Sequence, residues 1–222
     1  MELNIGSRSE VKALLKKGLI FVDGNKALKP EEKVDENSVV ITYQGKEYRY
    51  KRFSYYVINK PKGVITATED ANAETVMDVF YRQFPDAPRG LAPVGRLDKD
   101  TTGLLLITND GQLAHDMLSP KKHVDKKYFV ELDGELTEDN IRELENGVHI
   151  GEGENTAPAT VDYQGGRTCY ITIHEGKFHQ VKRMFFAVGR EVIGLKRVSF
   201  GKLSLDENEL PNGKAKELPS AP

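Results

Sequence analysis

The chain has 222 residues, 38% of them hydrophobic, with a formal charge of −2 at neutral pH and one cysteine. It is long enough for one or two packed domains. The lone Cys169 excludes an internal disulfide and a zinc site built from several cysteines, and suits a reducing cytoplasm. No apolar run reaches the roughly 18 residues of a membrane span and no signal-peptide pattern is present, so a soluble cytoplasmic protein is expected. At near-neutral charge, any attraction to nucleic acid must come from local patches.

Ser7 and Glu10 have the capping-box spacing, which predicts a helix from about residue 8 to Lys17, stopped by Gly18. Val11, Leu14 and Leu15 share its apolar face; Arg8, Lys12 and Lys16 form a row of cations, suited to RNA phosphate or simply to solvent. Residues 19–22, the Asp23-Gly24 turn and residues 39–43 predict a small β unit. Residues 1–52 hold 11 Lys/Arg against 8 Asp/Glu, so this segment is basic. Lys46 to Arg52 reads as a linker or a last strand edge.

Residues 54–59 predict a strand that stops before Pro61, because proline cannot continue a ladder. A weak helical pattern covers residues 73–84. Gly95-Arg96-Leu97-Asp98-Lys99-Asp100-Thr101-Thr102-Gly103 then runs into Leu104-Leu105-Leu106-Ile107 and the Asn109-Asp110-Gly111 turn. This reads as a charged loop entering a buried strand, an arrangement that can hold catalytic groups in fixed positions. A short helix follows to Leu118, then a basic loop with Lys121, Lys122, Lys126 and Lys127, a strand from Tyr128 to Leu132, and an acidic helix from Glu138 to Asn146. Residues 168–173 alternate as a half-buried strand, with Cys169 an ordinary thiol. Phe178 to Phe186 predicts a helix with Val181, Met184 and Phe185 inward, and Val192 to Phe200 a final strand. From Asp206 onward the polar, proline-containing chain is expected to fray.

Taken alone, Asp98 and Asp100 leave three readings open: a carboxylate nucleophile, a paired acid and base, or a Mg²⁺ site. His179 has no second ligand at helical spacing, so no metal is expected.

The motifs carry a resemblance. Asn-Lys-Pro-x-Gly (59–63), Gly-Arg-Leu-Asp with Asp-x-x-Gly-Leu-Leu-Leu-x-Thr-Asn-Asp-Gly (95–111), Lys-x-Tyr (126–128), His-Gln-Val-Lys-Arg-Met (179–184) and a Leu-bearing last strand occur in that order. They resemble the RsuA-type branch of the RNA pseudouridine synthases, over roughly residues 7–202. The N-terminal segment resembles the S4 RNA-binding domain of that branch. Such S4 domains begin with a further segment before this helix, so a truncated start is expected.

The resemblance implies an α+β protein in two parts. Residues 1–52 would be an S4-like RNA-binding domain, and residues 53–222 a catalytic domain of mixed, mostly antiparallel sheet with flanking helices. It implies isomerisation of a ribosomal uridine to pseudouridine, with no cofactor or metal and with ribosomal RNA as partner; a monomer is the default. Asp98 takes the nucleophile's place. Tyr128 takes that of the ring stacked on a flipped base, and Leu195 that of an apolar pocket residue. Lys182 falls on the position of the carboxylate's basic partner, with Arg183 beside it; one of the two should meet Asp98 and the other a phosphate. Arg96 takes the place of the arginine beside the nucleophile, which fills the stack or holds phosphate around the flipped nucleotide; Lys177 and Lys99 are candidate phosphate contacts. The sequence around the loop looks more like the small-subunit (16S) enzyme than its large-subunit (23S) relatives. Two other classes remain as rivals: an RNA-binding assembly factor without chemistry, and a metal-dependent hydrolase using Asp98 and Asp100.

Overall fold

A computed structural model describes residues 5–27, 29–31, 33–35 and 38–222. Helix α1 (Arg8–Lys16) opens on the expected capping box. The Ser7 amide donates to Glu10 Oε2 at 2.7 Å, and the Glu10 amide donates back to Ser7 Oγ. Strands β1 (Ile20–Val22), β2 (Asn25–Lys26), β3 (Val40–Tyr43) and β4 (Lys46–Arg49) form an antiparallel sheet in the order β2-β1-β3-β4. The Lys46–Arg52 segment is therefore an edge strand followed by a short connection. Val11, Leu14 and Leu15 do turn to one side but are only half-buried, because strands of two to four residues offer little surface to cover them.

The second sheet holds nine strands: β5 (Tyr55–Lys60), β6 (Ala92–Pro93), β7 (Thr102–Thr108), β8 (Lys126–Leu132), β9 (Thr160–Tyr163), β10 (Thr168–Ile173), β11 (Val192–Phe200), β12 (Leu203–Ser204) and β13 (Ala215–Leu218). The main path runs β13-β5-β7-β11-β8-β10-β9, with β6 on β7 and β12 on β11. Every pairing is antiparallel except β7 with β11. This is the mixed, mostly antiparallel sheet that the motifs implied.

Strand β7 is buried on both faces. Leu105 and Ile107 join one apolar cluster with Val76, Met77 and Phe80 of α2 (Val76–Gln83), Leu144 of α4 (Glu138–Asn146) and Val181, Met184 and Phe185 of α5 (Gln180–Ala187). Leu104 and Leu106 join the other, with Met117 of α3 (Gly111–Leu118), Phe200 and Leu210. Each such side chain contributes about 1.5–3 kcal/mol by leaving water, so β7 anchors the loop that precedes it. The parallel pairing requires Gly103. A Cβ there, at φ +105°, would lie 2.3 Å from the Arg197 carbonyl oxygen.

Three expectations change. The C-terminal segment does not fray: β13 pairs with β5 and Leu210 is buried, because the otherwise open edge of β5 accepts it. Lys126 and Lys127 belong to β8, not to the basic loop. Lys126 is buried, with its ammonium on the Val124 carbonyl at 3.0 Å, and Lys127 faces Asp162 at 3.9 Å. Helix α5 begins at Gln180, since His179 adopts a left-handed conformation (φ 47°) that ends the preceding loop.

Candidate active site

The loop before β7 is fixed from beneath. The Thr101 amide donates to the Asp98 carbonyl at 3.1 Å, closing a turn over residues 98–101. Lys60, the last residue of β5, has no solvent exposure and sends its ammonium into that turn. It donates to the carbonyls of Thr101 (2.9 Å), Asp98 (3.0 Å) and Pro61 (3.2 Å). Burial pushes the Lys60 pKa down to about 8, against the pull of Asp100 and Asp98. One residue upstream, Thr66 Oγ1 donates to the Leu97 carbonyl at 2.7 Å and accepts from its amide at 3.1 Å. The Gly63 amide donates to Lys99 O at 2.8 Å. The backbone on both sides of Asp98 is thus tied to the segment that ends β5.

Above this turn a cleft of about 80 Å³ brings together Arg96, Asp98, Tyr128, Lys177, Lys182 and Leu195. Lys182 Nζ lies 3.0 Å from Asp98 Oδ2 and 2.6 Å from Asp100 Oδ1. Burial alone would lower the Lys182 pKa, but the hydrogen bonds to Asp100 and Asp98 outweigh it and hold it above its ordinary value. The same bond to Lys182 holds Asp100 below the usual carboxylate range. His179 brings Nε2 to 3.5 Å from Asp98 Oδ1. Tyr128 is 8% exposed and sits across the ladder from Arg197. Arg96 is exposed and makes no ion pair among the described residues. Lys177 turns its ammonium to the Asn155 carbonyl at 2.8 Å.

Arg183 departs from expectation. It neither meets Asp98 nor presents a free guanidinium to phosphate. Nε donates to Ile150 O at 2.9 Å, Nη1 to Glu154 Oε2 at 2.8 Å and to Phe178 O at 3.1 Å, and Nη2 to Gly151 O at 3.3 Å. Adjacent helix positions point about a quarter-turn apart, so with Lys182 facing the cleft, Arg183 clamps the 150–154 loop. Arg8, Lys12 and Lys16 are exposed along α1 and take no part in the cleft.

Two buried residues escaped the sequence reading: Lys60, and Arg197 on β11. Arg197 Nε donates to Leu104 O at 2.8 Å, and the guanidinium lies 4.6 Å from the Phe200 ring centre. Burial pushes the Arg197 pKa down, opposed by Tyr128 beside it. Cys169 is buried in β10, which pushes its thiol up to about 12. Among the described residues no group of three or more His, Cys, Asp or Glu side chains could hold a metal ion, and no helix is long and apolar enough to cross a membrane.

Residues 54–187 match the RNA pseudouridylate synthase family and residues 2–40 match the S4 domain. The chain belongs to the RNA pseudouridylate synthase family and is an isomerase that makes pseudouridine within RNA. Its relatives fit the RsuA-type branch that the motifs implied. The RNA pseudouridine synthase YtzG of Bacillus subtilis is 47% identical, covering 96% of this chain and 90% of that protein. The ribosomal small subunit pseudouridine synthase A of Vibrio cholerae is 40% identical over 92% and 87%, and the ribosomal large subunit pseudouridine synthase B of B. subtilis 37% over 96% and 87%. A solved pseudouridylate synthase superposes with a TM-score of 0.69 at 31% identity, covering 98% of this chain and 92% of that one.

Proposed function

We propose that the enzyme isomerises a uridine of ribosomal RNA, in the small subunit, with Asp98 as nucleophile. The observation that carries the role of Asp98 is its place in the cleft, 3.0 Å from the Lys182 ammonium on a turn pinned through Lys60. An ammonium so close stabilises a carboxylate that must lose its water when a base enters. The Asp98 carboxylate forms a covalent bond to the flipped nucleotide, at the ribose or the uracil ring, so that the N1 glycosidic bond breaks. The uracil then turns and rejoins the ribose through C5, and the bond to Asp98 breaks with its electron pair returning to the carboxylate, which frees the enzyme. The C5 proton is lost and N1 regains one, so no atom is gained and no cofactor is consumed. Tyr128 supplies the flat face that replaces lost base stacking, and Leu195 the apolar wall.

Residues 1–52, with Arg8, Lys12 and Lys16 in a row, act as the RNA-binding part, contacting phosphate and shape, and residues 53–222 as the catalytic part. Arg96 holds phosphate at the mouth. The enzyme acts as a monomer, and a ribosomal substrate favours the cytoplasm. The small-subunit assignment rests on the likeness of the loop around Asp98 to the small-subunit enzyme; the relatives named for the small and the large subunit are near-equal at 40% and 37% identity, which keeps 23S RNA as the second reading. Pseudouridine mapping on both ribosomal RNAs, with wild type and Asp98→Asn, tests this. One new site in 16S RNA, absent with the variant, is expected. A site only in 23S RNA replaces the substrate, and full activity of Asp98→Asn refutes the nucleophile.

A further inference from the structure

Phe178 is 73% exposed, yet it is not a loose surface residue. Its ring stacks on His179 with centroids 3.8 Å apart and planes 19° from parallel. The turn that carries both is held on every side. The Gln180 amide donates to Lys177 O, the Lys177 amide to Gln180 Oε1 at 2.9 Å, and Gln180 Nε2 to Glu175 Oε1 at 2.7 Å. Arg183 fixes the Phe178 carbonyl itself. His179 in turn lines the cleft and reaches Asp98 at 3.5 Å, so the two rings step outward from Asp98, with Phe178 just outside the cleft. Phe186 and Ile193 are also exposed but do not join this stack.

We propose that the outer face of Phe178 is a stacking platform for the nucleobase next to the target uridine. The proposal rests on the reading of the cleft as the site that takes a flipped uridine. Flipping strips the neighbouring base of its stacking partner. Phe178 presents a rigid aromatic face one ring beyond the group that touches Asp98, where the next base along the strand would lie rather than the target itself. Lys177 beside it and Arg96 across the cleft supply positive charge for the intervening backbone. Because any base offers a π-face, such a platform favours an unpaired neighbour without selecting its identity. It would steer the enzyme to loops and bulges in place of continuous helix.

The sequence contains no tryptophan, which gives a direct test. The RNA is the one found by mapping, and Phe178→Ala, Phe178→Leu and Phe178→Trp are compared with wild type. Phe178→Ala and Phe178→Leu are expected to raise KM about 5- to 150-fold, the range for loss of one base–aromatic stack, with kcat within about twofold and thermal melting unchanged. Phe178→Trp should keep KM, and its single indole emission should be quenched when RNA saturates the enzyme. An active wild type whose KM is matched by Phe178→Ala, or restored as well by Leu as by Trp, overturns the platform; so does an indole unaffected by RNA. A wild type that forms no pseudouridine in either ribosomal RNA overturns the reading beneath it.

Discussion

Replacing Lys60 by methionine removes the ammonium while keeping the length of the buried stem. The carbonyls of Thr101 and Pro61 then lose the ammonium, and that of Asp98 keeps only the Thr101 amide. Each acceptor left unpaired costs about 1–3 kcal/mol, so these two cost about 2–6, and the bond lost at Asp98 about 1 more. Against this stands the relief of burying a charge. The fall in pKa from 10.5 to about 8 corresponds to about 3 kcal/mol at 1.36 kcal/mol per unit. The carbonyls win, and Lys60→Met should lose on the order of 2 kcal/mol, or roughly 4–8 °C in Tm for a chain of this size. The pH dependence has a definite sign. Below pH 8 Lys60 is charged whether the chain is folded or not, whereas from pH 8 to 10.5 only the unfolded chain holds the proton. The stability contributed by Lys60 therefore rises across that window, and the gap between wild type and variant should widen by up to about 3 kcal/mol. Urea unfolding at pH 7, 9 and 10.5 measures this. Pseudouridine formation should fall with stability, about 100-fold if the turn shifts Asp98 by an ångström. Equal midpoints at all three pH values, or an active and equally stable variant, would refute the role given to Lys60.

Lys182→Met should lower the single-turnover rate roughly 10- to 150-fold, the worth of one charge-assisted hydrogen bond, with Lys182→Arg retaining more; a rate within twofold of wild type for the methionine variant contradicts the pairing with Asp98. Because Lys182 holds the Asp100 pKa below 3.8, the contribution of Asp100 is intact above that value and disappears as pH falls through the folded pKa. Acid unfolding of Asp100→Asn should accordingly show a shallower acid limb than wild type, and superimposable limbs would count against it. Gly103→Ala forces a Cβ to 2.3 Å from backbone, whereas Gly63→Ala, also at positive φ, meets nothing within 4 Å. Soluble yield and Tm should collapse for the first, and for the second fall by less, through backbone strain alone.

How much of this could be read in the amino acids differs by element. Helix α1 and strand β7 were legible because their signals are local: a capping box of four residues, and four consecutive apolar residues between glycine and a turn. The Lys182–Asp98 choice was not, since both Lys182 and Arg183 fit the motif and only the rotation of α5 against β11 separates them. Lys60 looked like the tail of a strand before proline. Its importance comes from carbonyls about 40 residues away, and no periodicity reports where a backbone oxygen will point. The left-handed His179 and the returning β13 escaped for a related cause: one is a single dihedral, the other depends on a vacant sheet edge more than 150 residues upstream.

The position of β11 also bears on when this enzyme can first exist. The strand synthesised last among the long ones is inserted in the middle of the sheet, between β7 and β8, and the edge of β5 is closed only by residues 215–218. A nascent chain that has already exposed Asp98 and Tyr128 at the ribosome still has no partner for the second side of β7. Pairings this distant in sequence are slow to form and here must wait for β11 and β13 to be made. The cleft is thus assembled only once β11 has joined the sheet, and a chain cut before that strand carries Asp98 and Tyr128 without the walls around them.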